Sequence, residues 1–122
     1  MEITLQEHNG IPIAIITSDT LIFTNEDEAA ELLMNCYYQG AEALIVMAEN
    51  LPPEFFDLKT KLAGEVLQKF STYNTRLAVI GDFSKFDSKS LQDFIRESNR
   101  IGRILFVPRV AEARAALAKA AK

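Results

Sequence analysis

Reactive side chains are sparse in this chain of 122 residues, which has one histidine and one cysteine. Neither a structural zinc site nor a nucleophile–histidine pair is easily assembled from that inventory. His8 abuts Asn9-Gly10 and is read as a turn residue in solvent, while Cys36 falls on an apolar helical stripe and is read as a small hydrophobe. What remains is carboxylates, hydroxyls, amines and aromatic rings in two stretches. "ENLPPEFFDLKTKLAGE" (49–65) brings Glu49, Phe55, Phe56, Asp57, Lys59 and Thr60, and "GDFSK" (81–85) brings Asp82, Phe83, Ser84 and Lys85. Carboxylates held close together can move protons. Aromatic and charged side chains held together can seat a partner.

Several of these residues have alternative structural explanations. Asp57 or Thr60 can cap a helix, and of Phe55 and Phe56 one is expected to plug the core while the other faces outward. Asp82 is harder to absorb, because Asp87 and Ser88 already compete to cap the helix that follows it. The glycines at 10, 40, 64, 81 and 102 are isolated, with neither GxGxxG nor a lysine-bearing phosphate loop. No catalytic residue, metal ligand or cofactor site is assigned. Gly64 lies inside a predicted helix, where glycine costs about 1 kcal/mol relative to alanine. It is read either as close packing against a neighbouring element or as backbone left bare for a ligand or partner.

The elements that must position these residues alternate regularly. Asn9-Gly10 separates strands at 3–8 and 11–17, as in a tight hairpin. A helix follows with Asn25 as its cap, a stripe of Ala29, Leu32, Leu33, Cys36 and Tyr37, and Gly40 past its end. "EALIVMA" and "RLAVIG" are continuously apolar runs of the kind found in strands covered on both faces. Between them lies a helix with Leu58, Leu62, Ala63, Val66, Leu67 and Phe70 on one side, preceded by a short turn at 53–57 that starts at Pro53. A helix through Leu91, Phe94, Ile95 and Ser98 closes at Gly102, "RILFV" forms the last strand, and an Ala-rich helix directs Val110, Ala113 and Leu117 inward. The order ββαβαβαβα predicts a single α/β domain over 1–122, with a mostly parallel sheet and an N-terminal β-hairpin. In such sheets ligands gather at the carboxyl ends of the strands, where both candidate stretches fall.

Composition sets further bounds. Hydrophobic residues make up 48% and charged residues 25%, which is ordinary for a soluble globular domain. No apolar run approaches the ~20 residues of a membrane span, and the acidic start "MEITLQEHNG" does not resemble a signal peptide. With a lone cysteine, a cytoplasmic location is expected. Residues 1–57 hold eleven of the seventeen acids and no Lys or Arg, whereas 58–122 hold six acids and all thirteen bases. The charges either intermix on the folded surface or make a dipolar surface suited to self-association. The acidic half and the pI of about 5.0 argue against nucleic-acid binding.

Two resemblances add to this reading. "FFDLKTKLAGEVLQKF" (55–70), "RLAVIGDFSKF" (76–86) and "SKSLQDFIRESN" (88–99) resemble the bacterial domain-of-unknown-function 4180 family, which implies membership and no mechanism. The element order and the closing "NRIGRILFVPRVAEARAAL" resemble the STAS class, the fold of bacterial anti-sigma-factor antagonists. Those antagonists carry an Asp-Ser-Ser/Thr-Gly-like sequence with a phosphorylated hydroxyl where the helix after the third strand begins. Only Asp57 and Thr60 match it here. The expectation is therefore a STAS-like, non-enzymatic interaction or regulatory module. It would dock an unidentified protein partner through the segment after the third strand, and a homo-oligomer is possible. The alternative is a small polar-ligand binder or hydrolase using Glu49, Asp57, Asp82 and Lys85.

Overall fold

A computed structural model of the chain describes residues 1–119, except the side chain of Lys119. Five strands and four helices alternate as expected: β1 (Glu2–His8), β2 (Ile11–Thr17), α1 (Glu26–Tyr38), β3 (Ala43–Met47), α2 (Leu62–Thr72), β4 (Arg76–Ile80), α3 (Lys89–Ile101), β5 (Ile104–Val107) and α4 (Val110–Lys119). The expected domain range ran to 122, so its last three residues lie outside the described ones. Asn9 (φ 52°) and Gly10 (φ 83°) both take the left-handed conformation that a two-residue hairpin between twisted strands requires. His8 at that turn is half-buried rather than solvent-facing.

The sheet runs β1-β2-β3-β4-β5 in chain order, antiparallel between β1 and β2 and parallel thereafter. Every crossover therefore steps in the same direction, and right-handed crossovers lay α1, α2 and α3 on one face. That face buries Ala14, Ile16, Leu44, Val46, Leu77, Val79, Ile104 and Phe106 beneath the three helices. The alternate residues Ile13, Ala43, Ile45, Ala78 and Leu105 meet Ala113 and Leu117 of α4 on the other face. Burial on both faces explains why β3 and β4 read as unbroken apolar runs. Because the strand order never reverses, the sheet has no switch point to open a crevice between helices. Any concavity at its carboxyl edge must come from the connecting loops.

Local signals account for the helix ends. Asn25 accepts the Glu28 N–H at 2.9 Å and caps α1, Ser88 accepts the Leu91 N–H at 3.1 Å and caps α3, and Gly102 (φ 91°) ends α3. On the outer edge of the sheet, Asn99 of α3 binds both backbone groups of Phe106, accepting its N–H at 2.7 Å and donating to its carbonyl at 3.2 Å. The side chain thereby occupies part of an edge that would otherwise be free to pair.

Three further expectations need correction. Tyr37 belongs to the rim of α1, not to its buried stripe. Leu58 belongs to a separate turn, and α2 begins only after Lys61 takes the left-handed conformation (φ 67°). Gly64 in the first turn of α2 is exposed, and a methyl group built on it meets no atom within 4 Å, so close packing does not explain it. Among the described residues, ion pairing is mostly local: Lys89 and Arg96 bind Asp93, Arg100 binds Glu97 and Arg109 binds Glu112. Among these residues only the Lys69–Glu26 ion pair, at 3.5 Å, joins the acidic half of the chain to the basic half. No helix among the described residues is long and apolar enough to cross a membrane.

Two predictions come from this packing. Gly64→Ala should stabilise the protein by about 0.5–1 kcal/mol in denaturant melts, since the side chain meets open space and the unfolded chain loses freedom. A loss of stability would show that the bare backbone has a structural use. Cys36 is fully buried, and burial pushes its thiol from the ordinary 9.0 up to about 11. Above pH 9.0 the unfolded chain gives up this proton while the folded chain keeps it, so stability should fall as pH rises towards about 11. The decline between pH 8 and 10.5 should be shallower in Cys36→Ala, and an identical slope would refute the assignment.

Candidate functional site

The chain leaves β3 without entering a regular helix. Short 3-10 turns at Ala48–Asn50, Pro53–Phe56 and Leu58–Thr60 carry it across the carboxyl edge of the sheet. Pro53 opens the second turn, where a missing N–H leaves no donor unpaired. Backbone groups that a helix would satisfy internally are met here by side chains. Asn50, 4% exposed, donates from Nδ2 to the Ser18 and Thr20 carbonyls, each at 3.0 Å, and ties the β2–α1 loop to this segment. The Thr60 hydroxyl lies 2.6 Å from the Glu54 carbonyl and 2.8 Å from that of Asp57, and it accepts the Leu62 N–H at 3.2 Å. Asp57 accepts the Lys59 N–H at 3.2 Å. Asp57 thus caps the short turn at Leu58–Thr60 and Thr60 braces it, whereas α2, which either was expected to cap, starts after Lys61 with no side-chain cap.

A second irregular loop follows β4. Asp82 accepts the Ser84 N–H at 3.1 Å and its hydroxyl at 2.6 Å, capping a 3-10 turn at Phe83–Lys85. This gives Asp82 a structural role that the sequence did not disclose. Gln92 of α3 donates to the carbonyls of Phe83 (2.8 Å) and Phe86 (3.0 Å), pinning the loop to the helix. Gly81 lets the two loops approach closely: a Cβ there would stand 2.8 Å from the Ala48 Cβ.

Phenylalanine rings fasten the loops together from below. Phe55 is 1% exposed, with its ring 6.3 Å from that of Phe23, 5.2 Å from Phe56 and 6.4 Å from Phe106. Phe56 stacks on Phe86 at 5.0 Å with planes 20° apart, and Phe83 meets Phe106 edge-on at 5.2 Å. Phe55 is thus the core plug. Phe56, expected to face outward, is only half-buried and forms part of the floor.

Above these rings lies a concavity of about 510 Å³. Met47, Ala48, Phe56, Ile80 and Phe86 supply its apolar surface, and Glu49, Asp57, Asp82 and Lys85 its charged rim. Of the ten residues singled out in the sequence, Glu49, Phe56, Asp57, Asp82 and Lys85 meet here. Phe55 and Phe83 support it, and Lys59, Thr60 and Ser84 lie outside it. Sequence reasoning missed Met47, Ile80 and Phe86, all flanking the expected loops. It also missed Asn50 and Gln92, whose partners are distant backbone carbonyls that leave no local signal.

The four rim residues are exposed. The Ser84 hydroxyl and N–H, with help from Lys85, hold the Asp82 carboxyl below the usual carboxylate range, so it is ionised at neutral pH and poorly suited to deliver a proton. Among the described residues, no group of three His, Cys, Asp or Glu side chains gathers in a way that could hold a metal ion.

Comparison with known proteins places the chain in a family and goes no further. No curated protein and no solved structure shows significant similarity to it. A family model described as a domain of unknown function (DUF4180) matches residues 8–117, a span that includes both loops of the concavity and α4, and the chain belongs to that family.

Proposed function

We propose that this chain is a non-catalytic interaction module of a bacterial cytoplasm, STAS-like in architecture, which docks a partner protein in the concavity at the carboxyl ends of β3 and β4. The observation that carries this reading is the combination of an apolar floor with a solvated, mainly acidic rim. Such a site suits an apolar side chain flanked by a basic one. Exposed ion pairs contribute only about 0–1 kcal/mol each, whereas burying one apolar anchor contributes about 1.5–3 kcal/mol. The floor therefore supplies most of the affinity, and Glu49, Asp57 and Asp82 supply orientation and encounter rate. The STAS-like assignment is supported by the element order and by the position of Asp57 and Thr60 just ahead of α2. The Thr60 hydroxyl is committed to the turn, so the proposed docking does not use a phosphorylation switch.

A second reading has its own supporting observation. The concavity is large enough for a small molecule and is lined by all four residues of that alternative, Glu49, Asp57, Asp82 and Lys85. Against proton-transfer chemistry stand the exposure of the three acids and the low-lying Asp82 carboxyl.

A photo-crosslinking amino acid at Pro53 on the rim, compared with one at Gln68 on the outer face of α2, tests the docking. The rim position should capture a discrete protein in living cells, and Glu49→Lys should reduce the yield roughly three- to tenfold, as expected for reversal of one exposed charge. Equal capture from both positions, or a yield unaffected by Glu49→Lys, would count against docking. Recovery of a small molecule bound to the purified protein and lost in Glu49→Lys would favour the second reading.

A further inference from the structure

At the opposite edge of the sheet, where β4 and β5 begin, two arginines share a concavity of about 600 Å³. Each grips the chain beside the other. Arg76 donates from Nε to the Gly102 carbonyl at 2.9 Å, and Arg103 donates from Nη1 to the Thr75 carbonyl at 3.3 Å. Arg76 also reaches the last turn of α4 through the Leu117 carbonyl at 3.1 Å, and Arg103 reaches the Asn74 side chain at 3.2 Å. These bonds hold both guanidinium groups in place and, among the described residues, leave N–H donors over, including both on Nη2 of Arg76.

Neither arginine has an ion-pair partner among the described residues, unlike Arg96, Arg100 and Arg109. Burial, and then the neighbouring charge of Arg103, lower the affinity of Arg76 for its proton, as expected for like charges that share a partly dry site. The carbonyl end of α4 offsets part of the charge on Arg76, and Arg103 has no such help. Two fixed guanidinium forks with no ion-pair partner among the described residues form a receptor for planar or tetrahedral oxyanions. Ile11, Tyr37 and Leu117 line the same concavity and give it an apolar wall, which a bare inorganic ion would leave uncovered.

We infer that this pair of arginines binds a small organic acid, with its carboxylate or phosphate between Arg76 and Arg103 and its apolar body against Ile11, Tyr37 and Leu117. Glu42 also lines the concavity and opposes the bound charge. The site lies across the sheet from the proposed docking concavity and does not depend on it.

Benzoate, phenyl phosphate and inorganic phosphate, each at constant ionic strength against a sodium chloride control, are the probes. At saturation an aryl anion should raise the thermal midpoint by about 3 °C or more. Inorganic phosphate should do less, and the stronger of the two aryl anions identifies the preferred acid group. Arg103→Gln should weaken binding at least tenfold by calorimetry at low temperature. This readout does not depend on whether the lost Thr75 contact lowers the starting stability. Glu42→Gln should tighten binding, a gain that a purely structural role for the arginines would not produce. Arg96→Gln, on the outer face of α3, should change nothing. The inference is overturned by a wild-type protein that does not respond to either aryl anion, by equal affinity in Arg103→Gln, by no gain in Glu42→Gln, or by an equal loss in Arg96→Gln.

Discussion

The ring of Phe55 is the contact on which the carboxyl edge of the sheet depends. It sits in the broken 3-10 segment after β3, touching Phe23, Phe56 and Phe106. Through Phe56 it reaches Phe86, and through Phe106 it reaches Phe83 and Phe94. Seven of the chain's eight phenylalanines thus form one connected group, with only Phe70 outside it. Irregular backbone is normally mobile because it buries little and leaves polar groups to water. Here both liabilities are met. The rings bury the apolar side, and Asn50, Thr60, Asp82 and Gln92 satisfy loop backbone groups. The concavity is therefore preformed, and a partner bound there loses little affinity to ordering the loops.

Much of the fold was legible because its determinants are local. Asn9-Gly10 dictates the hairpin, Asn25, Ser88 and Gly102 mark helix ends, and the 3.6-residue stripes of α1, α2 and α3 mark their buried faces. The apolar runs of β3 and β4 announced a sheet covered on both sides. Leu58 shows where this kind of reading breaks down. Its spacing from Leu62 fits a helical stripe, but Lys61 takes the left-handed conformation and breaks the helix between them. Nothing in the residue type of Lys61 requires that geometry. Gly64 shows the converse. A glycine within a helix invites a packing explanation, and the space around it is empty.

The site was half legible for a related reason. Strand ends and loop residues can be placed from the topology, so Glu49, Asp57, Asp82 and Lys85 were found. Which of them share one concavity depends on how far each loop bends over the sheet, and that depends on tertiary contacts such as Gly81 against Ala48 and Gln92 against Phe83. The paired arginines were hidden more completely. They lie 27 positions apart, each beside the first residue of its strand or within it, and only the side-by-side placement of β4 and β5 joins them.

The two edges of the sheet consequently differ in chemistry, although the linear charge split does not translate directly into a dipole. Lys89, Arg96 and Arg100 of α3, and Arg109 just ahead of α4, each bind an acid three or four residues away. The acids of the first half have few such neighbours, and some of them line the carboxyl-edge concavity as a solvated rim. At the amino edge, Arg76 and Arg103 are too far from those helical acids to be neutralised, and the geometry that fixes them is the pairing of the two strands. The two concavities thus differ in predominant charge, with Glu49, Asp57 and Asp82 against Lys85 at the carboxyl ends and Arg76 and Arg103 against Glu42 at the amino ends. A ligand at either end meets a field set by the few residues that the helices leave unpaired.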